Sequence, residues 1–151
     1  MATTANQTKN VVGALNQQVA NLTVLFTKLH NYHWYVTGEN FFELHSKLEE
    51  FYDYTAEKLD EVAERILALQ GNPVATLKES LSIATIKEAK GGEAPKEMVQ
   101  AVLADFEQLI SELKETIAIA EDAEDDSTAD LCVQTITDLQ KNAWMLRAFL
   151  R

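Results

Sequence analysis

Apolar residues return every three or four positions along this chain, the period of helices that bury one face, and nowhere do they alternate as a strand requires. The first stripe, Leu15, Val19, Leu22, Phe26, Leu29 and His33, advances by alternating steps of four and three and predicts a helix from about Lys9 to Val36. The residues before it, about 1–8, read as a short N-terminal tail. After the break at Thr37-Gly38-Glu39-Asn40, a second helix is predicted from about Phe41 to Leu69, stopped by Gly71-Asn72-Pro73. Its core stripe is Phe41, Leu44, Leu48, Phe51, Thr55, Leu59, Val62 and Ile66, while Glu43, Glu50, Glu57, Glu61 and Arg65 lie largely opposite. A short helical stretch at about Leu77 to Ile83 leads to Gly91-Gly92. A third long helix is predicted from about Pro95, a residue suited to a first turn, to Ala120. The fourth begins near Asp125-Asp126-Ser127 and continues through Leu131, Val133, Ile136, Leu139, Ala143, Leu146 and Leu150. The pattern therefore predicts an all-α four-helix bundle, one domain over residues 1–151, with a short extra helix in the connection from the second to the third long helix. That connection is about 25 residues long, enough to cross the bundle's length, which favours ferritin-like connectivity over simple up-down-up-down.

Between the core stripe and the charged face of the second helix runs a band that holds His45, Glu49, Asp60 and Glu64 together with Phe42, Ala56, Ala63 and Leu67. His45 and Glu49 are i,i+4 neighbours, as are Asp60 and Glu64, so each pair shares a helix face. Glu49 and Asp60 are eleven residues apart. At a rise of about 1.5 Å per residue their backbones stand roughly 16 Å apart, whereas donor atoms around one ion lie only about 3 Å from one another. One chain cannot close around an ion with both pairs. Two copies packed antiparallel across a two-fold axis can, because His45 and Glu49 of one then fall opposite Asp60 and Glu64 of the other, in two equal sites. Taken alone, each acidic pair is also what a solvated helix face produces, and His33 is also what a hydrogen-bonded core histidine looks like. The combination is sharper, since two imidazoles and three carboxylates meet in the one arrangement that also explains the small and apolar residues of the band. Nothing in the spacing requires His30. The expected product is a homo-oligomer with metal at its interfaces.

Composition changes this picture in three ways. The net charge of −11 argues against a surface that attracts nucleic-acid phosphates or anionic lipids and favours cations as partners. The single cysteine, Cys132, has no internal disulfide partner and reads as a small buried residue. No apolar run spans a bilayer and no signal segment is apparent at Met1 to Asn10, so the expected location is the cytoplasm. Imidazole and carboxylate donors without thiolate suit iron, manganese or zinc, with iron the natural candidate for redox chemistry with oxygen or peroxide. Trp34, beside His33, reads first as a packing residue and second as an oxidisable or hydrogen-bonding neighbour of such a site.

At these residues the chain resembles the Dps family, the miniferritins. His33-Trp34, Gly38, Asn40-Phe41-Phe42, Leu44-His45, Glu49 and Asp60-x-x-Ala63-Glu64-Arg65 follow that family's signature in order and spacing, and the likeness extends over nearly the whole chain. The resemblance implies hollow dodecamers of four-helix subunits, built from dimers, with ferroxidase centres at the two-fold interfaces. It places the two histidine ligands on His33 and His45 of one subunit and the partner's aspartate and glutamate on Asp60 and Glu64. The fifth position is Glu49, where the family commonly has aspartate; the extra methylene moves that carboxylate by about a bond length. The implied activity is oxidation of Fe(II), preferentially by hydrogen peroxide rather than oxygen, followed by storage of Fe(III) mineral.

The stretch from Glu121 to Asp130 holds six acids in ten residues and no base. By itself it reads as an acidic turn with favourable charge at a helix N-terminus. The resemblance places it at three-fold pores, with Glu121, Asp126 and Asp130 drawing iron inward and Asp125 a further candidate. Two other functional classes compete. One is a nucleoid protein that coats DNA, against which the lone Lys9 among the first ten residues argues. The other is a scaffold whose interfacial ions, such as zinc, only hold the assembly together.

Overall fold

The computed structural model describes residues 4–151, and among them there are five helices and no strand: α1 (Thr4–Tyr35), α2 (Phe41–Ala68), α3 (Leu77–Ile83), α4 (Pro95–Asp122) and α5 (Asp126–Phe149). The α2 stripe is buried as the periodicity predicts, with Leu44, Leu48, Phe51, Thr55, Val62 and Ile66 inside and Phe41 and Leu59 at its margin. Two expectations for α1 are corrected. Helix already begins at Thr4, so residues 4–8 of the expected tail are its first turns and residues 1–3 lie outside the described part. Phe26 is only half-buried, because it packs toward an aromatic cluster at the surface between α1 and α2.

α1 and α2 form an antiparallel hairpin, seen at both ends. His33 near the end of α1 meets His45 near the start of α2, and Gly71 beyond α2 lies against Val12 near the start of α1. α1 also runs antiparallel to α4, since Asn21 reaches Glu112 while Lys28 reaches Asp105. α2 and α4 therefore point the same way, and the chain between them must travel the length of the bundle. This is the ferritin-like connection, and α3 lies within it, packed on α1.

Polar side chains of α1, buried at Asn21 and Lys28 and half-buried at Asn16, hold that crossover. Asn21 accepts from the amides of Thr85 and Ile86 through Oδ1 and donates to Thr85 Oγ1 and Glu112. Asn16 does the same work at Asn72 and Val74. Lys28 donates to the carbonyl of Lys87 and pairs with Asp105 at 2.8 Å. Backbone groups in an irregular segment have no ladder to join, so side-chain partners of this kind let the segment pack closely.

The stop after α2 also differs in detail from expectation. The left-handed residue is Gln70, with φ of 64°, and the amide of Gly71 closes back on the carbonyl of Ile66 at 2.9 Å. Gly71 serves a different need: a Cβ there would lie 2.9 Å from both methyl carbons of Val12. The glycine is required by close approach between α1 and the end of α2.

Candidate metal centre

The histidines expected to act together do meet. His33 comes from the last turn of α1, where helical carbonyls run out of amide partners, and His45 from the first turns of α2. His33 Nδ1 donates to the carbonyl of His45 at 2.7 Å, and His45 Nδ1 donates to the carbonyl of His33 at 2.8 Å. A carbonyl only accepts, so each imidazole must carry its proton on Nδ1, which leaves a lone pair on each Nε2 when the ring is neutral. The rings stack at 3.7 Å between centroids, 14° from parallel. His33 is buried and His45 half-buried, with Phe41 also stacked on His45 at 5.0 Å between centroids. Two ring nitrogens with free lone pairs are thus held in one tautomer by backbone that cannot rotate away.

The acidic pair is built on another principle. Asp60 and Glu64 lie one turn apart on the exposed face of α2, and the carboxyl of Glu64 is held above its ordinary value chiefly by the charge of Asp60. Two carboxylates so placed are relieved by a proton or a cation between them. Nearby the surface is lined by Ala56, Ala63, Phe26 and α3, and Leu67, Leu77 and Leu81 leave large apolar side chains exposed. Such a patch, mixed with potential ligands, marks an association surface.

Within one chain the two halves stay apart. Among the described residues no three His, Cys, Asp or Glu side chains converge closely enough to hold a metal ion. The bundle interior, where four-helix di-iron proteins commonly place their carboxylates, has a cavity of only about 10 Å³ lined by Gln18, Tyr54, Thr55, Cys132, Thr135 and apolar groups. Cys132 is buried as expected; burial, aided by the charge of Asp125, pushes its thiol up to about 11.

Glu49 is exposed one turn beyond His45, and its Oε1 accepts a hydrogen bond of 3.2 Å from the Tyr52 hydroxyl. Burial, followed by that bond and the charge of Glu49, raises the Tyr52 phenol above its ordinary value. Tyr52 and His30 form a second stacked pair, 3.7 Å between centroids and 21° from parallel, and His30 is fixed through Nδ1 to the carbonyl of Phe26. Neither residue is singled out by spacing alone, although Tyr52 stands three residues after Glu49, where helical neighbours meet. Trp34 does not fill the core: it is exposed, with its ring 5.2 Å from that of His30.

At the α4–α5 turn, Glu121, Asp126 and Asp130 are exposed, and Asp130 accepts from Gln134. Asp125 is not available in the same way. It caps α5 by accepting from the Thr128 amide and hydroxyl, and it binds Arg65 of α2 at 2.8 Å. Burial acts upward on its carboxyl, but Thr128 and Arg65 outweigh it and hold the group below the usual aspartate value. Arg65 is therefore not a free member of the charged face of α2; it ties that helix to α5.

Comparison with known proteins agrees with this architecture. Residues 12–151 match the family model Ferritin, a ferritin-like domain. The chain is 54% identical over 142 residues to DNA protection during starvation protein 2 of Bacillus anthracis, covering 94% of this chain and 97% of that one. The crystal structure of a Dps protein from Bacillus brevis is 48% identical, covers 100% of both chains and superposes with a TM-score of 0.96. Dps from Vibrio cholerae O1, described as a member of a broad superfamily of ferritin-like diiron-carboxylate proteins, is 34% identical over 97% of this chain and 92% of its own, with a TM-score of 0.94.

Proposed function

The chain belongs to the Dps family of ferritin-like proteins, and from that premise we propose that it is a ferroxidase whose centres form between two subunits. In this reading His33, His45 and Glu49 of one subunit face Asp60 and Glu64 of the partner subunit, in dimers that assemble further into a hollow dodecamer. The observation that carries the proposal is the reciprocal lock of His33 and His45, which fixes both Nδ1 atoms to carbonyls and leaves both Nε2 atoms as donors. An isolated core histidine needs no such pairing.

Fe(II) is the substrate. Neutral imidazoles supply two donors without adding charge, and the acidic pair supplies the negative charge that a cation going from +2 to +3 increasingly favours. Two Fe(II) ions each give up one electron, and one hydrogen peroxide takes both electrons and two protons to leave as two waters. Because the O–O bond is cleaved by an electron pair, no hydroxyl radical is released. In this reading, following the family resemblance, peroxide is the favoured oxidant over oxygen. The Fe(III) produced is stored as mineral, and the negative charge of Glu121, Asp126 and Asp130 draws incoming Fe(II) toward the cavity. Zinc fits the same ligands and competes for them. The protein works in the cytoplasm; among the described residues no helix is long and apolar enough to cross a membrane. With a net charge of −11, protection of DNA proceeds by consuming iron and peroxide and not by coating phosphates.

Stopped-flow absorbance of anaerobic Fe(II)-loaded protein mixed with hydrogen peroxide, beside oxygen and protein-free controls, tests this. Rapid oxidation favoured by peroxide, with iron kept soluble over many turnovers, is the expected result. The variant His33→Asn/His45→Asn keeps an N–H donor near each Nδ1 position and removes the metal-binding nitrogens, and its rate should fall to the protein-free value. A wild-type rate no faster than the control would leave an assembled scaffold with structural metal as the better account.

A further inference from the structure

Tyr52 packs at the margin of the core, but its hydroxyl points away from that packing role to Glu49. Its ring is held between two imidazoles, stacked on His30 at 3.7 Å and edge-on to His33 at 5.2 Å, with Phe26 edge-on at 6.2 Å. His30 cannot swing away, because its Nδ1 is bonded to the Phe26 carbonyl at 2.8 Å. The phenol is therefore clamped by side chains of α1, and its hydroxyl reaches the one carboxylate oxygen of Glu49 that has a partner. Glu49 itself is exposed, with three side-chain torsions to fix before it can serve as a ligand.

We propose that Tyr52 is a positioning residue for the metal centre: its hydroxyl occupies Glu49 Oε1, so that Oε2 alone is presented to the ion. The inference rests on the ferroxidase reading above. It gives the longer side chain at position 49 a physical role. An aspartate there would draw the carboxylate back by about 1.5 Å, one carbon–carbon bond, and would leave the Tyr52 hydroxyl without it. Glutamate at 49 and the clamped phenol at 52 thus form one unit, in which His30 holds the ring, the ring holds the hydroxyl and the hydroxyl holds the ligand. Groups that orient a metal ligand in this way typically contribute roughly ten- to a hundredfold in metal affinity, about what Tyr52→Phe should remove.

The test uses Co(II) alone, added to the assembled metal-free protein, with its visible d–d bands read for both affinity and geometry. Tyr52→Phe keeps the ring, its stacking and the fold, so melting temperature should stay at the wild-type value while Co(II) affinity falls roughly tenfold or more and the bands shift. Glu49→Asp should show a comparable loss, and adding Tyr52→Phe to it should cost nothing further, because the contact is already gone. Co(II) affinity and bands unchanged in Tyr52→Phe would overturn the proposal, as would equal losses from that substitution in the wild-type and Glu49→Asp backgrounds. His33→Asn/His45→Asn separates the two levels of inference. If the wild-type bands persist in it, the metal centre is misplaced and this proposal falls with it; if they vanish while Tyr52→Phe is silent, the centre stands and only the role of Tyr52 is lost.

Discussion

His33 and His45 come from two helices and hold each other through two backbone carbonyls, whereas Asp60 and Glu64 come from one helix and crowd like charge onto an exposed face. In the proposed centre, one half is finished when the subunit folds and the other waits for a partner. The difference follows from where each half finds its partners. The histidines join the end of α1 to the start of α2 and are part of the contact that makes the hairpin. Among the described residues, the cationic side chains that form ion pairs do so with other acids, and near Asp60 and Glu64 the apolar side chains of Leu67, Leu77 and Leu81 are also left uncovered. A third carboxylate shows the contrast from within the chain, since Asp125 has the Arg65 guanidinium and the Thr128 hydroxyl that Asp60 lacks.

The largest effect expected from this division is complementation. A subunit carrying His33→Asn/His45→Asn and one carrying Asp60→Asn/Glu64→Gln should each be inactive alone. Unfolded together and reassembled in equal amounts, about half of the two-fold pairs are mixed and each mixed pair has one intact site, so about a quarter of the wild-type site density should return. Initial Fe(II) oxidation rates measure it. No recovery from two variants that both assemble would show that the halves belong to one subunit or to no common site.

Next in size is the opposite response of the two halves in metal-free protein. His33→Ala removes a buried ring and leaves the His45 carbonyl without its imidazole donor, and should lower stability by about 2–3 kcal/mol. Asp60→Asn removes repulsion from Glu64 and should leave the melting temperature equal or higher. Thermal unfolding at fixed protein concentration compares them; a larger loss from Asp60→Asn than from His33→Ala would invert the picture of a preformed and an unfinished half.

The smallest effect is the pH signature of the paired carboxylate. Asp125 is held below its ordinary value in the folded chain, so its contribution to stability is present above the unfolded aspartate value, about 3.9, and is lost as pH falls through the folded one. Asp125→Asn keeps the capping oxygen and loses the charge on Arg65, at a cost of about 1 kcal/mol near neutral pH. The gap between the two acid-unfolding curves should close progressively below about pH 4. A gap that stays unchanged as pH is lowered through the carboxylate range until both proteins unfold would mean that the charge on Asp125 contributes nothing.

Helix number, the buried stripe of α2, the crossover and the face carrying His45, Glu49, Asp60 and Glu64 are all legible in the sequence, because each follows from a repeat of about 3.6 residues and from chain length alone. That one chain cannot bring His45 and Glu49 to Asp60 and Glu64 is legible too, since eleven residues of helix fix a separation that no side chain can bridge. What periodicity does not supply are contacts between elements distant in sequence. The start of α1 at Thr4 escapes it because the first turns carry few apolar residues, and the role of Gly71 escapes it because that role depends on Val12, at the far end of the hairpin in sequence. Asp125 reads as one acid among six until its cap and its Arg65 partner separate it from Asp126 and Asp130. Trp34 reads as core because it follows a buried histidine, yet one helical step turns it outward. The tautomers of His33 and His45 and the clamp of His30 on Tyr52 are settled only when α1 and α2 pack, because a proton's position on an imidazole is fixed by the carbonyl it meets, and no sequence pattern records which carbonyl that is.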